Sequence, residues 1–529
     1  MGKKIQSLLL RHEYLIWILC FCALLRLPSF LEPYWYGDEG IYLTLGQAIR
    51  KGLHLYKDIH DNKPPLLYFM AALTGSVFWF RFFLFFWNSV SIIIFERLSH
   101  LLLDTNENPG KTIIGGIEFP KVQYSTIATA LFAFLPFFVE GAIANGEIFM
   151  VLPTLLGFYF LLKGKNTREI LLSGFFFTLA FLIKVPALFD AAAAGVFFFL
   201  IVPIFHEKMT KPKEFVMRQG KQILLFSVAF LLPIILTLVY YASLGAGKQY
   251  IIAAFAQNVG YLSSWQTGSH EAQNLGESGL KTRAIILVLG LLAVVALTKK
   301  NGRTLTLLLL WFAFALFGAL LSERPYPHYL IQIVAPLSLL LVIFVQFLQH
   351  RQPKNTPSSF SLFPSISRFI PPVTIATTFA IFIVSLISIQ FWYYPLLPYY
   401  KNYIMRMTGN KSQEEYLRYF DPKLPDVYNA ATFVTGATTS DERIFIWGDV
   451  PGLYALSRRL PPGRFTSAYH IKDFNGSQET AQAIEHHELK YIFIDTTYEK
   501  PFVALQDILE LQYMKSREIG HIDVYKRMK

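Results

Sequence analysis

The sequence is poor in cysteine and in charge. Only two of its 529 residues are cysteine, Cys20 and Cys22, and both lie in the first apolar run. They cannot staple an external domain, so cysteine gives no signal of redox compartment. Charged residues make up 16% of the chain and hydrophobic residues 53%, with 49 phenylalanines; soluble domains carry about 25% charge. The tail from about 396 has no Gly-rich phosphate loop, and no catalytic triad can be assembled in it. No internal repeat is visible, which disfavours a transporter built from inverted halves. The net charge of +12 does not imply a nucleic-acid partner. Many Lys and Arg sit in short loops between apolar runs, where they report membrane topology.

What is present is hydrophobic length. Runs near or above the ~18 residues that cross a bilayer recur at 14–31, 82–103, 123–140, 148–163, 169–184, 187–205, 223–243, 283–298, 304–321, 330–349 and 373–394. These predict a polytopic α-helical membrane protein. The start, MGKKIQSLLLRHEYLIWILCFCALLRLPSF, is basic, then apolar, with no small-residue cleavage site, and reads as an uncleaved signal anchor. The stretch 66–80, LLYFMAALTGSVFWF, is apolar but short for a span. If it does not cross, the N-terminal tail, 104–122, 163–168, 206–222, 299–303 and 350–372 share one side and carry nineteen Lys and Arg. The opposite connections 141–147, 185–186 and 322–329 then carry only Arg324. Crossing would invert every later loop against the positive-inside rule. The expectation is therefore eleven spans plus an interfacial segment. The outer loop 32–81, Glu147, the loop 244–282, the SERPYPHY turn and everything after about 395 would face away from the cytoplasm.

The tail changes character. DERIFIWGDVPGLYALSRRL reads as strand, turn and short helix, ETAQAIEHHELK as helix, and LKYIFIDTTYE and HIDVYKRM as two further strands. The chain thus divides into a membrane domain, 1–395, and a small extracytoplasmic α/β domain, 396–529.

Chemistry-bearing residues gather on the outer face. Residues 40–50 have helical spacing, with Ile41, Leu45 and Ile49 on one side and Gly52 to end the helix. Asp38 and Glu39 stand at its start. Standing alone, Asp38 reads as an N-cap. It has company: Glu147 also sits at the outer start of a span, where a helix N-terminus by itself would favour a carboxylate. Among cations, Arg26 and Lys184 lie near outer span ends, where a charge either faces a cavity or snorkels. Lys63 precedes Pro64 and Pro65, which stiffen the return to the membrane. Arg324, His328 and Tyr329 share an outer turn, where His328 and Tyr329 also suit an interfacial belt. Carboxylates can take a proton from an acceptor hydroxyl, and fixed cations can hold a phosphate and its developing charge. A phosphate at a membrane surface implies a lipid-linked substrate. Asp38, Glu39, His60 and Asp61 also offer ligands to a divalent metal, at a spacing that matches no specific metal motif, so the cofactor stays open.

The string GDEGIYLTLGQAIRKGLHLYKDIHDNKPPLLY after a span with a late Arg resembles the first outer loop of the dolichyl-phosphate-mannose protein mannosyltransferase-like enzymes. These are glycosyltransferase family 39 and its bacterial relatives, among them the lipid A aminoarabinose transferase. The likeness continues through ANGEIFMVLPTLLGFYFLLKGK, LLSGFFFTLAFLIKVPALF and RPYPHYLIQIVAPLSLL, roughly residues 14–350 in the same order. It implies a GT-C fold, a polyprenyl-phosphate sugar donor and inversion at the anomeric carbon. Asp38 would be the catalytic-loop carboxylate with Glu39 beside it. Glu147 would match a second acidic position, where many bacterial relatives have Asp. Lys63 would approach the donor phosphate, and Lys184, His328 and Tyr329 would match positions around the donor cavity, with Arg324 in the same turn.

The expectation is a GT-C membrane glycosyltransferase, lodged in a bacterial inner membrane with its site outside the cytoplasm. It would pass a sugar to a lipid, glycan or protein acceptor, as in lipopolysaccharide modification or protein glycosylation. A lipid or polysaccharide transporter should show a polar path at mid-span, whereas the polar groups here sit at the outer edge. A non-catalytic envelope-assembly protein would not need both Asp38 and Lys63.

Overall fold

The computed structural model describes residues 13–104, 111–114, 117–120, 122–164, 166–206, 212–257, 279–322, 324–349 and 370–528. Lys3, Lys4 and Arg11, most of the loop 244–282 and most of the connection 350–372 lie outside the described residues.

Helix α1 (Glu13–Arg26) runs into a 3-10 turn at Leu27–Leu31 that opens on a proline. The outer-loop helix α2 (Gly37–Arg50) and a short α3 (Leu66–Thr74) precede α4 (Val77–Leu103). A small hairpin, β1 (Lys111–Ile114) with β2 (Ile117–Pro120), leads to α5 (Tyr124–Phe134) and a 3-10 turn at Leu135–Val139. Then come α6 (Gly146–Lys163), α7 (Thr167–Ile183) and α8 (Ala187–Val196), the last continuing to His206 through a π turn. After these follow α9 (Pro212–Ser243), α10 (Gly247–Ile251) and α11 (Gly279–Ala319). The membrane set closes with α12 (Ile331–Gln349), which begins as a 3-10 turn at Pro327–Leu330, and α13 (Ile370–Ile389).

All eleven expected spans are helical. The two expected at 283–298 and 304–321 are the halves of α11, broken at Gly302, whose φ of 76° interrupts the helix. Among the described residues, eight helices are long and apolar enough to cross a membrane. Helices α9 and α11 turn leucines such as Leu231, Leu236 and Leu289 outward, a surface suited to lipid rather than water. The protein is an integral membrane protein.

The ambiguous stretch 66–80 is divided rather than continuous. Helix α3 has nine residues, about 13 Å at 1.5 Å per residue, and falls short of the ~30 Å hydrocarbon core. Gly75 ends it with φ +74°, and the Ser76 hydroxyl caps α4 by accepting the Trp79 N–H. Residues 77–80 therefore belong to the span, which starts five residues earlier than expected.

The tail opens with helices α14 (Leu396–Met407), α15 (Gln413–Phe420) and α16 (Leu424–Ala437). Strand β3 (Phe445–Trp447) is followed by α17 (Gly452–Ser457), α18 (Ala468–Asp473) and α19 (Ser477–His486). Then come β4 (Tyr491–Asp495), α20 (Val503–Gln512), β5 (Tyr513–Ile519) and β6 (Ile522–Arg527). The sheet order is β3-β4-β6-β5, with β3 and β4 parallel and the other pairs antiparallel. Alternate side chains feed two cores, as the pleat requires. Ile446, Phe493 and Val524 meet Val427 and Val434 of α16, while Phe445 and Ile492 meet Ile471, Ile484 and Leu505.

This α/β layer seats directly on the outer loop. The His60 N–H donates to the Arg464 carbonyl at 3.0 Å, and Lys51 donates to the Ser440 carbonyl at 2.7 Å. Gly40 of α2 and Gly452 of α17 touch backbone to backbone, so a Cβ on Gly40 would lie 2.9 Å from the Gly452 nitrogen. Gly40→Val should therefore destabilise the protein by about 1–3 kcal/mol through overpacking. A lowered unfolding temperature in detergent is the readout. Gly436→Ala, whose Cβ would enter open space, should leave that temperature unchanged or slightly raised.

Candidate active site

The candidate residues converge at one end of the helical bundle, where α2, the loop before α3, the start of α6, the end of α7 and the turn before α12 meet. Asp38 lies in the first turn of α2, yet it does not cap it: Tyr36 occupies the cap position without a side-chain bond. The Asp38 carboxylate instead accepts from the Tyr42 hydroxyl at 2.7 Å and faces Lys63 Nζ at 3.6 Å. The same ammonium lies 3.7 Å from Asp61 and 5.1 Å above the Tyr42 ring. Pro64 and Pro65 follow it directly, and the Lys63 carbonyl is held by the Tyr56 hydroxyl at 2.7 Å. Asp61 is fully buried and accepts from Tyr68 at 2.7 Å, with His470 Nε2 of α18 at 3.4 Å.

A second group lies beside the first. Asn145 caps α6 by accepting the Ile148 N–H, so Glu147 is released from capping and pairs with Lys184. Lys184 stands over the Tyr329 ring at 5.0 Å. It neither snorkels away nor stays alone. His328 contacts Glu140 at 2.7 Å and Tyr36 at 3.1 Å through Nδ1, and its Nε2 is 4.0 Å from Glu147. Arg324 sits in the preceding turn, its backbone N–H reaching the Ser322 hydroxyl.

Both groups act on Asp38. Burial pushes its carboxyl up, but Lys63, the Tyr42 hydroxyl, His328 and Lys184 together outweigh burial and hold it at about 2. Burial likewise raises Asp61, and Lys63 and His470 more than offset it. His60 is driven down to about 3 by burial and by His470. It packs between Phe465 and Phe474, with ring centroids at 5.3 and 4.7 Å.

Two expectations need correcting. Glu39 does not stand beside Asp38 as a second catalytic carboxylate. Both its oxygens are taken by Arg81, at 2.8 and 2.6 Å, and the Ala144 N–H adds a bond of 2.7 Å. It is a buried framing group. Nor do Asp38, Glu39, His60 and Asp61 form a ligand set. Among the described residues no three His, Cys, Asp or Glu side chains gather as metal ligands, and the cation between Asp38 and Asp61 is the Lys63 ammonium. Arg26 is buried against the Gly141 carbonyl and the Phe137 ring, within the frame.

Sequence reasoning missed Tyr36, Tyr42, Tyr68, Arg81, Glu140 and His470. Tyr42 was accessible as the i+4 neighbour of Asp38, and Arg81 as a charge beside an apolar run. Glu140, taken as a span end, has φ +60°, a left-handed backbone that sequence does not announce.

No family model matches the chain, and no curated protein sequence does. Solved structures do. ArnT from Cupriavidus metallidurans bound to undecaprenyl phosphate superposes with a TM-score of 0.54 at 12% identity, over 97% of this chain and 98% of that one. The chain has the GT-C fold. The apo state of the same ArnT gives a TM-score of 0.51 at 11% identity with the same coverage. The oligosaccharyltransferase AglB from Archaeoglobus fulgidus, in complex with an inhibitory peptide and a dolichol-phosphate, has 13% identity and a TM-score of 0.44, over 98% of this chain and 75% of that one. The likeness to ArnT spans the GT-C membrane bundle and the α/β layer together.

Two outcomes follow from this geometry. The folded Asp38 carboxyl titrates at about 2, below its ordinary 3.8. Its stabilisation is thus fully present above about pH 4 and is lost as pH falls towards 2. Asp38→Asn lacks this contribution, so its unfolding temperature should fall less steeply between pH 4 and pH 2 than that of the wild type. Separately, Arg81→Met should strip Glu39 and Glu32 of their shared partner. Breaking such a buried network costs about 3–5 kcal/mol, visible as loss of folded protein after detergent extraction.

Proposed function

We propose that this protein is a membrane glycosyltransferase that moves a sugar from a polyprenyl-phosphate carrier to an acceptor hydroxyl outside the cytoplasm. The observation that carries the reading is the ionised Asp38 carboxylate set 3.6 Å from Lys63 and within the field of Lys184 and His328, at one end of a GT-C bundle. The basic loops expected on the opposite side support a position of this end away from the cytoplasm. The bound undecaprenyl phosphate of the similar ArnT structure supports a lipid-linked donor.

In the reaction, the acceptor oxygen forms a bond to the anomeric carbon while the bond from that carbon to the phosphate oxygen breaks. The bonding pair leaves with the phosphate, and the hydroxyl proton passes to Asp38. Displacement from the opposite face inverts the anomeric centre. Lys63 and Lys184 receive the charge that develops on the departing polyprenyl phosphate, and His328, Tyr329 and Arg324 border that region. Lys63 also links donor and base. In the free protein it is shared by Asp38 and Asp61, which keeps Asp38 a weak base. A phosphate that draws Lys63 away relieves this restraint, so Asp38 gains basicity once the donor is seated.

Asp38→Asn should keep its affinity for undecaprenyl phosphate but lose about 10²–10⁴-fold in sugar transfer. Lys63→Ala should weaken undecaprenyl phosphate binding. The checks are a binding titration and a transfer assay with a polyprenyl-phosphate sugar. Wild-type turnover by Asp38→Asn would remove Asp38 from the mechanism, and unchanged donor binding and transfer by Lys63→Ala would remove Lys63.

A further inference from the structure

The cluster around Asp38 offers a base and a place for phosphate, yet none of its groups is committed to an acceptor. A cavity of about 210 Å³ lies where residues 34–37 meet the α/β layer. One wall is the carboxyl edge of the parallel strands β3 and β4, through the turns that begin at Asp449 and Asp495. That edge is where open α/β sheets take ligands. Tyr34, Trp35 and Tyr36 also line the cavity, together with Gly37, the residue before Asp38.

We propose that this cavity is the acceptor subsite and that it takes one sugar ring of a saccharide acceptor. The proposal rests on the transferase reading above.

The polar lining is matched to a ligand rich in hydroxyl donors. Asp421 accepts the Lys423 N–H at 2.8 Å through Oδ1. Asp449 uses Oδ1 for Ser467 at 2.8 Å and for the Tyr469 N–H at 3.0 Å. Asp495 uses Oδ1 for the N–H and hydroxyl of Thr497, at 2.9 and 2.5 Å. Each of these carboxylates keeps Oδ2 outside its hydrogen bonds to the described residues. His521 adds an independent sign of a missing ligand. Its side chain is nine-tenths buried, and Nδ1 is fixed on Asp426 at 2.8 Å. Its Nε2 is buried with no partner among the described residues, and the same holds for the Tyr498 hydroxyl. Buried polar atoms are almost always paired, so two unpaired ones in one cavity wall mark a place for a polar guest.

Chemistry and size narrow the guest. Three carboxylates disfavour an anion. A peptide backbone offers one donor and one acceptor per residue, while a sugar ring carries several hydroxyls that donate in different directions. The aromatic segment supplies flat apolar surface for the carbon face of a ring, Trp35 and Tyr36 meeting edge to face at 5.5 Å. The volume of about 210 Å³ is below the ~300–1,000 Å³ of drug-sized ligand sites, enough for one ring and not for an oligosaccharide. At β3 the chain makes room through Gly448, φ +155°, where a Cβ would come within 2.7 Å of the Asp495 Cβ. Tyr36 ties the cavity to the chemistry: it lines the cavity, and its hydroxyl lies 3.1 Å from His328.

The test uses the full chain in lipid nanodiscs. Methyl glycosides of hexoses and of N-acetylhexosamines are titrated at millimolar concentration against tryptophan fluorescence, beside a Ser/Thr-containing tripeptide. At least one glycoside should saturate, and the Asp449→Asn, Asp495→Asn double variant should weaken it about tenfold or more, with undecaprenyl phosphate affinity unchanged. If the double variant does not fold, Tyr498→Phe, which removes a single oxygen, should still weaken glycoside binding. Absence of saturation by every glycoside, equal binding by the folded variants, or saturation by the tripeptide instead would overturn the proposal. The two readings fail separately. Donor binding and Asp38-dependent transfer without glycoside binding would overturn the subsite alone. Glycoside binding without donor binding would overturn the transferase reading and with it the acceptor role of the cavity.

Discussion

A single guanidinium organises this structure. Arg81, buried at the start of α4, reaches Glu32 at 2.5 Å, Glu39 at 2.6 Å and the Ser29 carbonyl at 3.1 Å. Glu32 is gripped in turn by Tyr399 and Trp35, and Glu39 by the Ala144 amide. The end of the first span, the outer-loop helix, the approach to α6 and the first helix of the tail thus share one charge network. Isolated charges at this depth would be untenable, and their mutual satisfaction makes the network tolerable. The network also aims the chemistry. Adjacent residues on a helix point about 100° apart, so fixing Glu39 on Arg81 turns Asp38 towards Lys63. The ion-paired carboxylate thus sets the direction of its neighbour.

Much of the frame was legible because membranes are a demanding solvent. Every expected span is helical, and the segment at 66–80, singled out as short for a span, does not form one long helix. Asp38, Lys63, Glu147, Lys184, His328 and Tyr329 stood out because charged or polar groups at span ends are few in so apolar a chain. What remained hidden was partnership. Helical periodicity gives the face on which Glu39 lies, and nothing in it names Arg81, 42 residues on. The approach of His470 to Asp61 joins segments about 400 residues apart, and only tertiary packing brings them together. Strand β5, YMKSREI, was missed because its middle is charged and exposed, as suits a sheet edge guarded against pairing. The cavity beside Tyr36 has no sequence signature, since its walls are drawn from five separated segments.

On the transferase reading, the shared Lys63 would give the site a built-in order of events. Lys63 lies between Asp38 and Asp61 and is shared by the two carboxylates. Charge arriving on a lipid carrier competes for the same ammonium and redistributes the balance. On that reading, substrate binding and base strength would draw on one electrostatic resource.

The contact between Gly40 and Gly452 carries a different consequence, concerning interchangeability. Two helices that meet through bare backbone leave no side-chain layer in which small differences can be absorbed. A tail taken from another protein, even one of the same sheet order, would have to reproduce a glycine at that spot and the angle of its short helix. The α/β layer therefore cannot be exchanged as a cassette. The turn after β4, through Thr497 and Tyr498, lines the cavity and takes no part in that contact, so it is where such differences can be accommodated.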